Sequence, residues 1–299
     1  MEIRLLRYFW TIADLGTISA AANQLHITQP TLSRQLQGLE AQLGTPLFVR
    51  HPKHLELTQA GAFLKSRAAE ILTLTQQTEQ EFAAQKQHLF SGHIRIGCVA
   101  ADNSDTMAML LEELVHDYPA VTYNIITGAS DLIEEQLDKG LLDVAILLEP
   151  VAAQKYHTLT LPRTEQWGLL VAKQSQLAHK STIQPTDLAD LPLMLSQRPA
   201  VQNMLKKWRG EAIKPPRIIG TFNLIFNVLP LIEANLGAAL SIQGITSEVN
   251  PETLNFIPLV PNIKTRCILV WRKNRVLTPV VTEYIRRFKT AFGTKKAQD

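Results

Sequence analysis

A stripe of leucines near the amino terminus constrains the fold of this chain more than any other feature. The leucines recur at intervals of four, three and four residues, the spacing of one buried helix face, at Leu32, Leu36, Leu39 and Leu43. Thr28 stands where an N-cap is expected, and Pro30 is tolerated in the first turn because no intrahelical hydrogen bond is lost there. The pattern predicts a helix that begins just after Thr28.

The other side of this helix is unusually polar at its start. It carries Gln29, Thr31, Ser33 and Arg34. Arginine can pair with guanine and glutamine with adenine, while Ser and Thr can contact either a base or a phosphate. A shorter predicted helix precedes it, capped by Thr17 or Ser19 and separated by a turn at residues 26–27. Two helices in this arrangement can place the second in the major groove of DNA, although a solvated helix face is the simpler alternative.

Residues 46–58 predict a short β-hairpin with a basic tip, which could grip phosphates or be an ordinary exposed turn. A long helix is expected to follow, with no proline after Thr58 until well beyond residue 89. Its seam alternates by four and three residues through Leu64, Ala68, Ile71, Thr75, Thr78, Phe82, Gln85 and Leu89. Pairing with a second copy of the chain is the favoured interpretation of this seam, and packing within one chain is the alternative.

Beyond residue 91 the pattern changes to short β-prone runs that alternate with helical segments. Strands are predicted at 94–99, 121–127, 143–148, 167–172, 193–196, 218–221, 238–242 and 267–271, and helices at 106–117, 130–139, 200–208, 224–235 and 279–292. Such alternation predicts a parallel α/β sheet in two subdomains with a ligand cleft between them. Loops at 100–104, 128–130, 196–198 and 222–223 should line the cleft, where helix N-termini favour an anionic ligand.

Composition excludes several classes of protein. The chain has 299 residues, 45% of them hydrophobic and 19% charged, which suits two folded units, and no apolar run approaches the length of a membrane span. Its two cysteines, Cys98 and Cys267, are far apart, as in proteins of a reducing cytosol, so a cytoplasmic location is expected. The net charge of +3 permits an anionic partner without identifying one.

Several stretches resemble the LysR-type transcriptional regulators. The resemblance is carried by residues 20–25, 28–36, 39–50 and 57–61, and more weakly by 142–146 and 236–240. It implies a multidomain α plus α/β protein with an N-terminal winged helix-turn-helix, a long linker helix and a two-subdomain effector domain of the type 2 periplasmic-binding-protein-like architecture. It also implies promoter DNA and a small-molecule effector as partners, and a homodimer or homotetramer. No cofactor, metal, membrane contact or enzymatic activity is expected.

The resemblance also assigns boundaries and roles. The DNA-binding domain is expected at 1–58, the linker helix at 59–90 and the effector domain at 91–299, with subdomain I at about 91–162 and 267–299 and subdomain II at about 163–266. Gln29, Thr31, Ser33 and Arg34 would read the groove, and Arg50, Lys53 and His54 would contact phosphates. The effector would be a small organic acid or another polar metabolite. Of its expected contacts the resemblance supplies only Ser130, at a position where the family often has a ligand-binding Ser or Thr. The predicted cleft loops supply the others: Ala101, Asp102, Asn103, Ser104, Ser196, Arg198, Phe222 and Asn223.

One departure from the family pattern bears on the ligand. Where many relatives with carboxylate effectors have Ser or Thr after the first effector strand, this chain has Ala100-Ala101-Asp102-Asn103. The acidic Asp102 could pair with an amine or lie in solvent. Ser130 and Ser104 could also be simple N-caps, and Arg198 could project into solvent.

The sequence leaves three alternative functions open. A redox-responsive regulator would act through Cys98 or Cys267, although buried inert thiols are the common case. A cleft enzyme is disfavoured because no phosphate loop, nucleophile elbow or metal-ligand spacing is present, and the eight histidines show no ligand pattern. A solute-binding transport protein would not need the first sixty residues.

Overall fold

The protein divides into two compact units in the computed structural model, which describes residues 1–51, 54–85, 90–99 and 104–293. Unit 1 covers Met1–Lys86 and unit 2 covers Gln87–Asp299. Within the described residues of unit 1, helices dominate and one small hairpin is present. Its elements are α1 (Ile3–Leu15), α2 (Ile18–Gln24), α3 (Gln29–Leu43), β1 (Phe48–Arg50), β2 (Leu55–Leu57) and α4 (Gln59–Gln85).

Local sequence explains where the first helices begin and end. Gly16 and Gly44 end α1 and α3 in the left-handed conformation, with φ of 72° and 69°. Thr17 caps α2 by accepting a hydrogen bond from the Ala20 amide at 3.2 Å, and Thr28 caps α3 in the same way from the Thr31 amide at 3.4 Å. Of the two candidate caps for α2, Thr17 is therefore the one used.

The core of unit 1 is formed where α1, α2 and α3 meet. The predicted leucine stripe is buried at Leu32, Leu36 and Leu39, but Leu43 at its end is 40% exposed. The small side chains of Ala21 and Ala22 are fully packed, which lets α2 approach its neighbours closely. A helix-turn-helix is thereby built around one apolar centre.

Unit 2 is organised on a nine-stranded sheet within its described residues. Its strands are β3 (Gly92–Cys98), β4 (Val121–Thr127), β5 (Val144–Leu148), β6 (Tyr156–Ala172), β7 (Pro192–Ser196), β8 (Arg217–Phe222), β9 (Ala238–Ile242), β10 (Leu254–Pro258) and β11 (Lys264–Arg272). The order is β4-β3-β5-β11-β6-β9-β7-β8, and β10 pairs with β6. The helices are α5 (Ser104–Asp117), α6 (Ser130–Asp138), α7 (Pro199–Arg209), α8 (Leu229–Glu233) and α9 (Pro279–Phe292).

The sheet is mixed, which corrects the prediction of a parallel one. Strand β3 pairs in parallel with β4 and β5, and β7 pairs in parallel with β8 and β9. Between these two parallel groups, β5, β11, β6 and β9 pair antiparallel to one another. Strands β6 and β11 therefore join the two lobes, as the hinge of a two-lobed domain requires.

A second correction concerns the helix predicted at 224–235. The chain instead forms a 3-10 turn at Ile225–Val228 followed by the short helix α8. Pro230 lies in the first turn of α8, because a proline further inside a helix would lose a hydrogen bond and clash with the preceding turn. One long helix over this segment is thus replaced by two short ones.

Buried charges stabilise the lobe of unit 2 that contains β3, β4 and β5. Asp143 is 4% exposed and accepts a hydrogen bond from the Arg95 amide at 2.9 Å, while the Arg275 guanidinium lies 3.0 Å from its other oxygen. A buried carboxylate held by an amide and two arginines is a structural element, because removing either partner would leave charge without compensation.

No helix among the described residues combines the length and apolar character needed to cross a bilayer.

Candidate functional site

The start of α3 presents polar side chains to solvent. Gln29, Thr31 and Arg34 are exposed, whereas Ser33 is half-buried. The Gln29 side-chain oxygen accepts a hydrogen bond from the Ser19 hydroxyl of α2 at 3.1 Å, and the hydroxyls of Thr28 and Thr31 lie 2.8 Å apart. Two of the predicted groove-reading side chains are thus held in place by neighbours, while Arg34 extends from the surface.

The hairpin of β1 and β2 stands beside this helix in unit 1. Arg50, at the end of β1, is exposed and pairs in register with Leu55. His54 is exposed and stacks on His51 with 4.8 Å between ring centroids. Lys53, the third predicted phosphate contact, lies outside the described residues. Glu40 of α3 fixes the hairpin, since its carboxylate accepts hydrogen bonds from the amides of residues 47 and 48 at 2.7 and 3.4 Å.

Helix α4 has two different parts. Leu64 and Ala68 belong to the buried core of unit 1. Further along the predicted seam, Ile71 and Phe82 are 37% and 64% exposed, and Leu74 beside them is 36% exposed. Thr75 and Thr78 direct their hydroxyls to backbone carbonyls one turn back. The side chain of Gln85 and all of Leu89 lie outside the described set. An apolar surface on a long helix is typical of a contact with another chain.

The lobes of unit 2 enclose a cavity of about 100 Å³. Five side chains predicted for the ligand site line it: Ser130, Ser196, Arg198, Phe222 and Asn223. Sequence reasoning missed Trp167, Val201 and Ser241, which also line it. These residues lie on strands or inside a helix, where an apolar pattern alone does not distinguish core from cleft. Ser104 begins α5, and Ala101, Asp102 and Asn103 lie outside the described part of the chain.

Two polar groups in this cavity have no hydrogen-bond partner among the described residues. They are the Ser130 hydroxyl and the Nε atom of Arg198, both buried. Ser130 is not the N-cap of α6, because Ala129 holds that position and makes no side-chain cap. Arg198 does not project into solvent either: its side chain is 14% exposed, and Nε lies 3.5 Å from an Asp131 carboxylate oxygen. Buried donors without acceptors are costly, which makes these two atoms candidates for a ligand's oxygens.

The electrostatics near Arg198 depend on α6. Burial raises the pKa of Glu134 above its usual value, and the positive charge of Arg198 offsets part of that increase. Asp131 thus lies near the guanidinium and Glu134 interacts with its charge, but neither carboxylate forms a hydrogen bond to Nε. Arg198 is held in the cavity by charge and keeps a donor for another acceptor.

A second, larger cavity of about 670 Å³ adjoins the first and shares Trp167, Arg198 and Val201 with it. The Trp167 indole N–H donates to the Thr265 hydroxyl at 2.7 Å, which fixes the ring between β6 and β11. On the far side, Arg266 and Glu149 form a two-point ion pair at 2.8 and 2.9 Å. The first cavity is therefore one part of a wider interlobe space.

The two cysteines lie in the core of unit 2. Cys98 is 7% exposed and Cys267 is fully buried, and no disulfide joins them. The Cys98 sulfur lies 3.4 Å from the Thr127 hydroxyl. Redox reactivity needs an accessible thiolate, so this burial favours packing as their role.

Comparison with known families decides the identity of both units. The family model described as "LysR substrate binding domain" matches residues 87–293, and the one described as "Bacterial regulatory helix-turn-helix protein, lysR family" matches residues 3–62. The chain belongs to the LysR family. It is a DNA-binding transcriptional regulator, and the predictions of its family, of its fold class and of a non-enzymatic function are confirmed.

Relatives of this LysR regulator match over nearly their whole length. An uncharacterized HTH-type transcriptional regulator, YwbI of Bacillus subtilis, is 29% identical over 294 residues, covering 97% of this chain and 96% of YwbI. The Hca operon transcriptional activator HcaR of Escherichia coli is 27% identical over 290 residues, covering 95% of this chain and 96% of HcaR.

Solved structures of LysR regulators share the fold. CbnR superimposes with a TM-score of 0.77 at 22% identity, covering 98% of this chain and 99% of CbnR. Full-length CbnR complexed with its target DNA gives a TM-score of 0.76 at 23% identity, covering 97% of this chain and 100% of that one. At these identities the likeness concerns the fold alone.

Proposed function

We propose that this LysR regulator reads a promoter with the N-terminal end of α3 while the hairpin of β1 and β2 grips the phosphate backbone. The observation that carries the proposal is the exposed face of Gln29, Thr31 and Arg34 on a helix whose opposite side is buried. Arginine and glutamine offer the donors and acceptors that base edges in the major groove recognise. Ser33 is half-buried and would contact the groove from the margin of that face.

The phosphate contacts proposed are Arg50, Lys53 and His54. They would supply affinity and register with little dependence on sequence. CbnR, which shares the fold, has been solved in complex with its target DNA, which supports a DNA-binding role for the corresponding unit here. Because a promoter regulator works where the chromosome is, the cytoplasm is the proposed location.

Footprinting of the purified protein on the DNA upstream of its own gene, repeated across salt concentrations, tests this part. We expect protection of inverted half-sites, with affinity that falls steeply as salt rises, because each phosphate contact releases counterions. Weak association without any protected sequence would contradict the proposal.

The proposed effector is a small carboxylate with a short apolar body. Its oxygens would accept hydrogen bonds from the Ser130 hydroxyl and the Arg198 Nε, two donors of this cavity that have no hydrogen-bond partner among the described residues. The remaining wall is largely apolar and includes Phe222 and Ile242, which suits the apolar part of such a ligand. Ser196 and Asn223 line the same cavity, and Ala101, Asp102, Asn103 and Ser104 stay in the proposed set because they precede or begin α5.

A thermal-shift screen of small carboxylates, each paired with its neutral amide and with its α-amino acid, tests the ligand class. A carboxylate that stabilises the protein while its amide does not supports the proposal. Stabilisation by the amino acid alone would favour an amine contact, as the acidic Asp102 allows, and stabilisation by the amide alone would contradict a carboxylate ligand.

We also propose that the DNA-binding domain ends at residue 58, that the linker helix ends at residue 90, and that the two subdomains have the bounds expected from the sequence. Ligand binding between the lobes would close them about β6 and β11 and change how dimers assemble into a tetramer, altering the spacing of the DNA-reading helices. Because a ligand shifts such an equilibrium only by its differential affinity for the two arrangements, DNA binding without ligand is expected. An effector that changes neither footprint length nor DNA bending would contradict this mechanism.

A further inference from the structure

The tip of the hairpin brings three potential metal ligands together. Strands β1 and β2 pair with Val49 opposite Glu56, and the His51 amide donates to the His54 carbonyl at 3.0 Å, which extends the pairing to the turn. Because side chains alternate between the faces of a strand, His51, His54 and Glu56 lie on one face. The opposite face carries Phe48 and Leu57, which pack into the core of unit 1.

The three side chains are close and exposed to solvent. The His51 Nε2 atom lies 3.1 Å from a Glu56 carboxylate oxygen, and the imidazoles of His51 and His54 stack with planes 15° apart. One ligand atom from each residue lies within 4.8 Å of the others. No second group of three or more His, Cys, Asp or Glu side chains with such convergence occurs in the described ranges.

We propose that His51, His54 and Glu56 form a site for a divalent transition-metal ion, with Zn²⁺ as the best match. Zinc binds imidazole nitrogen and carboxylate oxygen at about 2.0–2.2 Å, so ligand atoms on one tetrahedral ion lie about 3.3 Å apart. To reach that spacing from the present separation of up to 4.8 Å, the exposed imidazoles would rotate out of their stack, and the metal would replace the contact between His51 and Glu56. Mg²⁺ and Ca²⁺ prefer sites made of oxygen and fit less well.

The sequence alone did not indicate this site, because His51 precedes the turn of the hairpin, whereas His54 and Glu56 follow it on the return strand. A His-x-x-His-x-Glu spacing does not by itself predict a metal site. Only the antiparallel register of β1 and β2 shows that the three side chains share one face. Three protein ligands leave one coordination position open. If the hairpin contacts DNA as proposed above, that position can take a phosphate oxygen, so the metal would strengthen the grip of the hairpin; this consequence rests on the proposed function.

Metal binding is tested on the full-length protein without DNA, after treatment with a chelator. Cobalt(II) is titrated and its visible absorption followed, and zinc is then used as a competitor. We expect saturation at one equivalent per chain, with His54→Ala and Glu56→Gln each weakening binding by at least about tenfold. His179→Ala, which removes another exposed histidine in unit 2, should bind like the wild type. Absence of saturable binding, or equal affinity in wild type and His54→Ala, would overturn the site.

The consequence for DNA is measured separately, as the ratio of duplex affinity with and without zinc in each variant. A ratio above one in wild type and in His179→Ala, but equal to one in His54→Ala, supports a role of the metal at the hairpin. A ratio of one in wild type overturns that role. Since cobalt binding is measured without DNA, failure of the site and failure of DNA recognition are distinguishable.

Discussion

The carbonyl oxygen of Leu47 occupies the space that a Cβ atom on Gly61 would need. On the other side of that position, a Leu57 methyl group would lie 2.9 Å from the added carbon. Thr58 holds the first turn of α4 in this place: its hydroxyl donates to the Pro46 carbonyl at 2.8 Å and accepts from the Gly61 amide at 3.0 Å. The hairpin and α4 are therefore locked together at a close backbone approach that only glycine permits.

We expect Gly61→Ala to destabilise unit 1 by about 1–3 kcal/mol, the usual cost of forcing an extra methyl group into a packed site. Thermal unfolding of the full-length variant measures this. Gly38→Ala is the matched control, since a Cβ there meets no atom within 4 Å and alanine favours the helix interior, so stability should stay the same or increase. Equal melting curves for the two variants would contradict this close approach of Leu47 to Gly61.

Glu283 of α9 contributes to the stability of unit 2, and this contribution depends on pH. Hydrogen bonds from Arg286 and Arg287 lower the pKa of Glu283 below its usual 4.5, although partial burial opposes them. Arg287 also donates to Asp117 of α5 at 2.6 Å, so these contacts join two helices. Because the folded-state pKa is depressed, the stabilisation is complete above the usual pKa and is lost as pH falls through the folded value.

Glu283→Gln should therefore lower the free energy of unfolding by about 1 kcal/mol near neutral pH and have little effect in strong acid. Urea unfolding followed by tryptophan fluorescence at both pH values measures the difference. Glu112→Gln changes an exposed glutamate on α5 and serves as the control. It should leave the free energy of unfolding unchanged at both pH values. A deficit in Glu283→Gln that persists undiminished in acid would show that charge is not its cause.

The Ser130 hydroxyl is proposed to bind one carboxylate oxygen of the effector. Ser130→Ala should weaken the affinity for a carboxylate found in the thermal-shift screen by about fivefold, the value of one hydrogen bond of about 1 kcal/mol. Calorimetric titration measures this affinity, with the exposed Ser181→Ala as control. Unchanged affinity in Ser130→Ala would remove this serine from the site.

Phe82 is 64% exposed on α4 and is proposed to contact a second copy of the chain. Phe82→Glu should raise the dissociation constant of the dimer by about tenfold or more, because an apolar contact is lost and a charge is buried. Sedimentation equilibrium gives the constant. As a control, Val276→Glu changes a side chain of unit 2 that is 95% exposed, and the dissociation constant should stay as in wild type. If both variants assemble alike, α4 is not the contact.

The elements that sequence predicted best are those with a strong period and clear caps. Helix α3 is one example, since Thr28 and Gly44 mark its ends and its leucines mark its buried side. Strand β6 shows the limit: only residues 167–172 were predicted, yet the strand begins at Tyr156. Its first half alternates polar exposed residues with Leu159 and Leu161, and pairing with β11, which is distant in sequence, is what makes it a strand.

The residues of the candidate sites were likewise predicted only in part from the sequence. The polar residues of the cleft could be named from loops that follow strands, but Trp167 could not, because an aromatic side chain in a strand is usually core. The Ser130 position was found from sequence, whereas the absence of a hydrogen-bond partner for its hydroxyl within the described part of the chain depends on the surrounding packing. Long-range contacts of this kind are not encoded in any local pattern.

Sequence reading by α3 is tested by comparing wild type, Arg34→Ala and Arg50→Ala on the duplex protected in the footprint and on a scrambled duplex. Equilibrium affinities are measured at several salt concentrations. Arg34→Ala should lose about 1–3 kcal/mol on the protected duplex and much less on the scrambled one, because a base contact carries sequence information. Arg50→Ala should weaken both alike and reduce the salt slope by about one. Equal losses on both duplexes for Arg34→Ala would contradict sequence reading by α3.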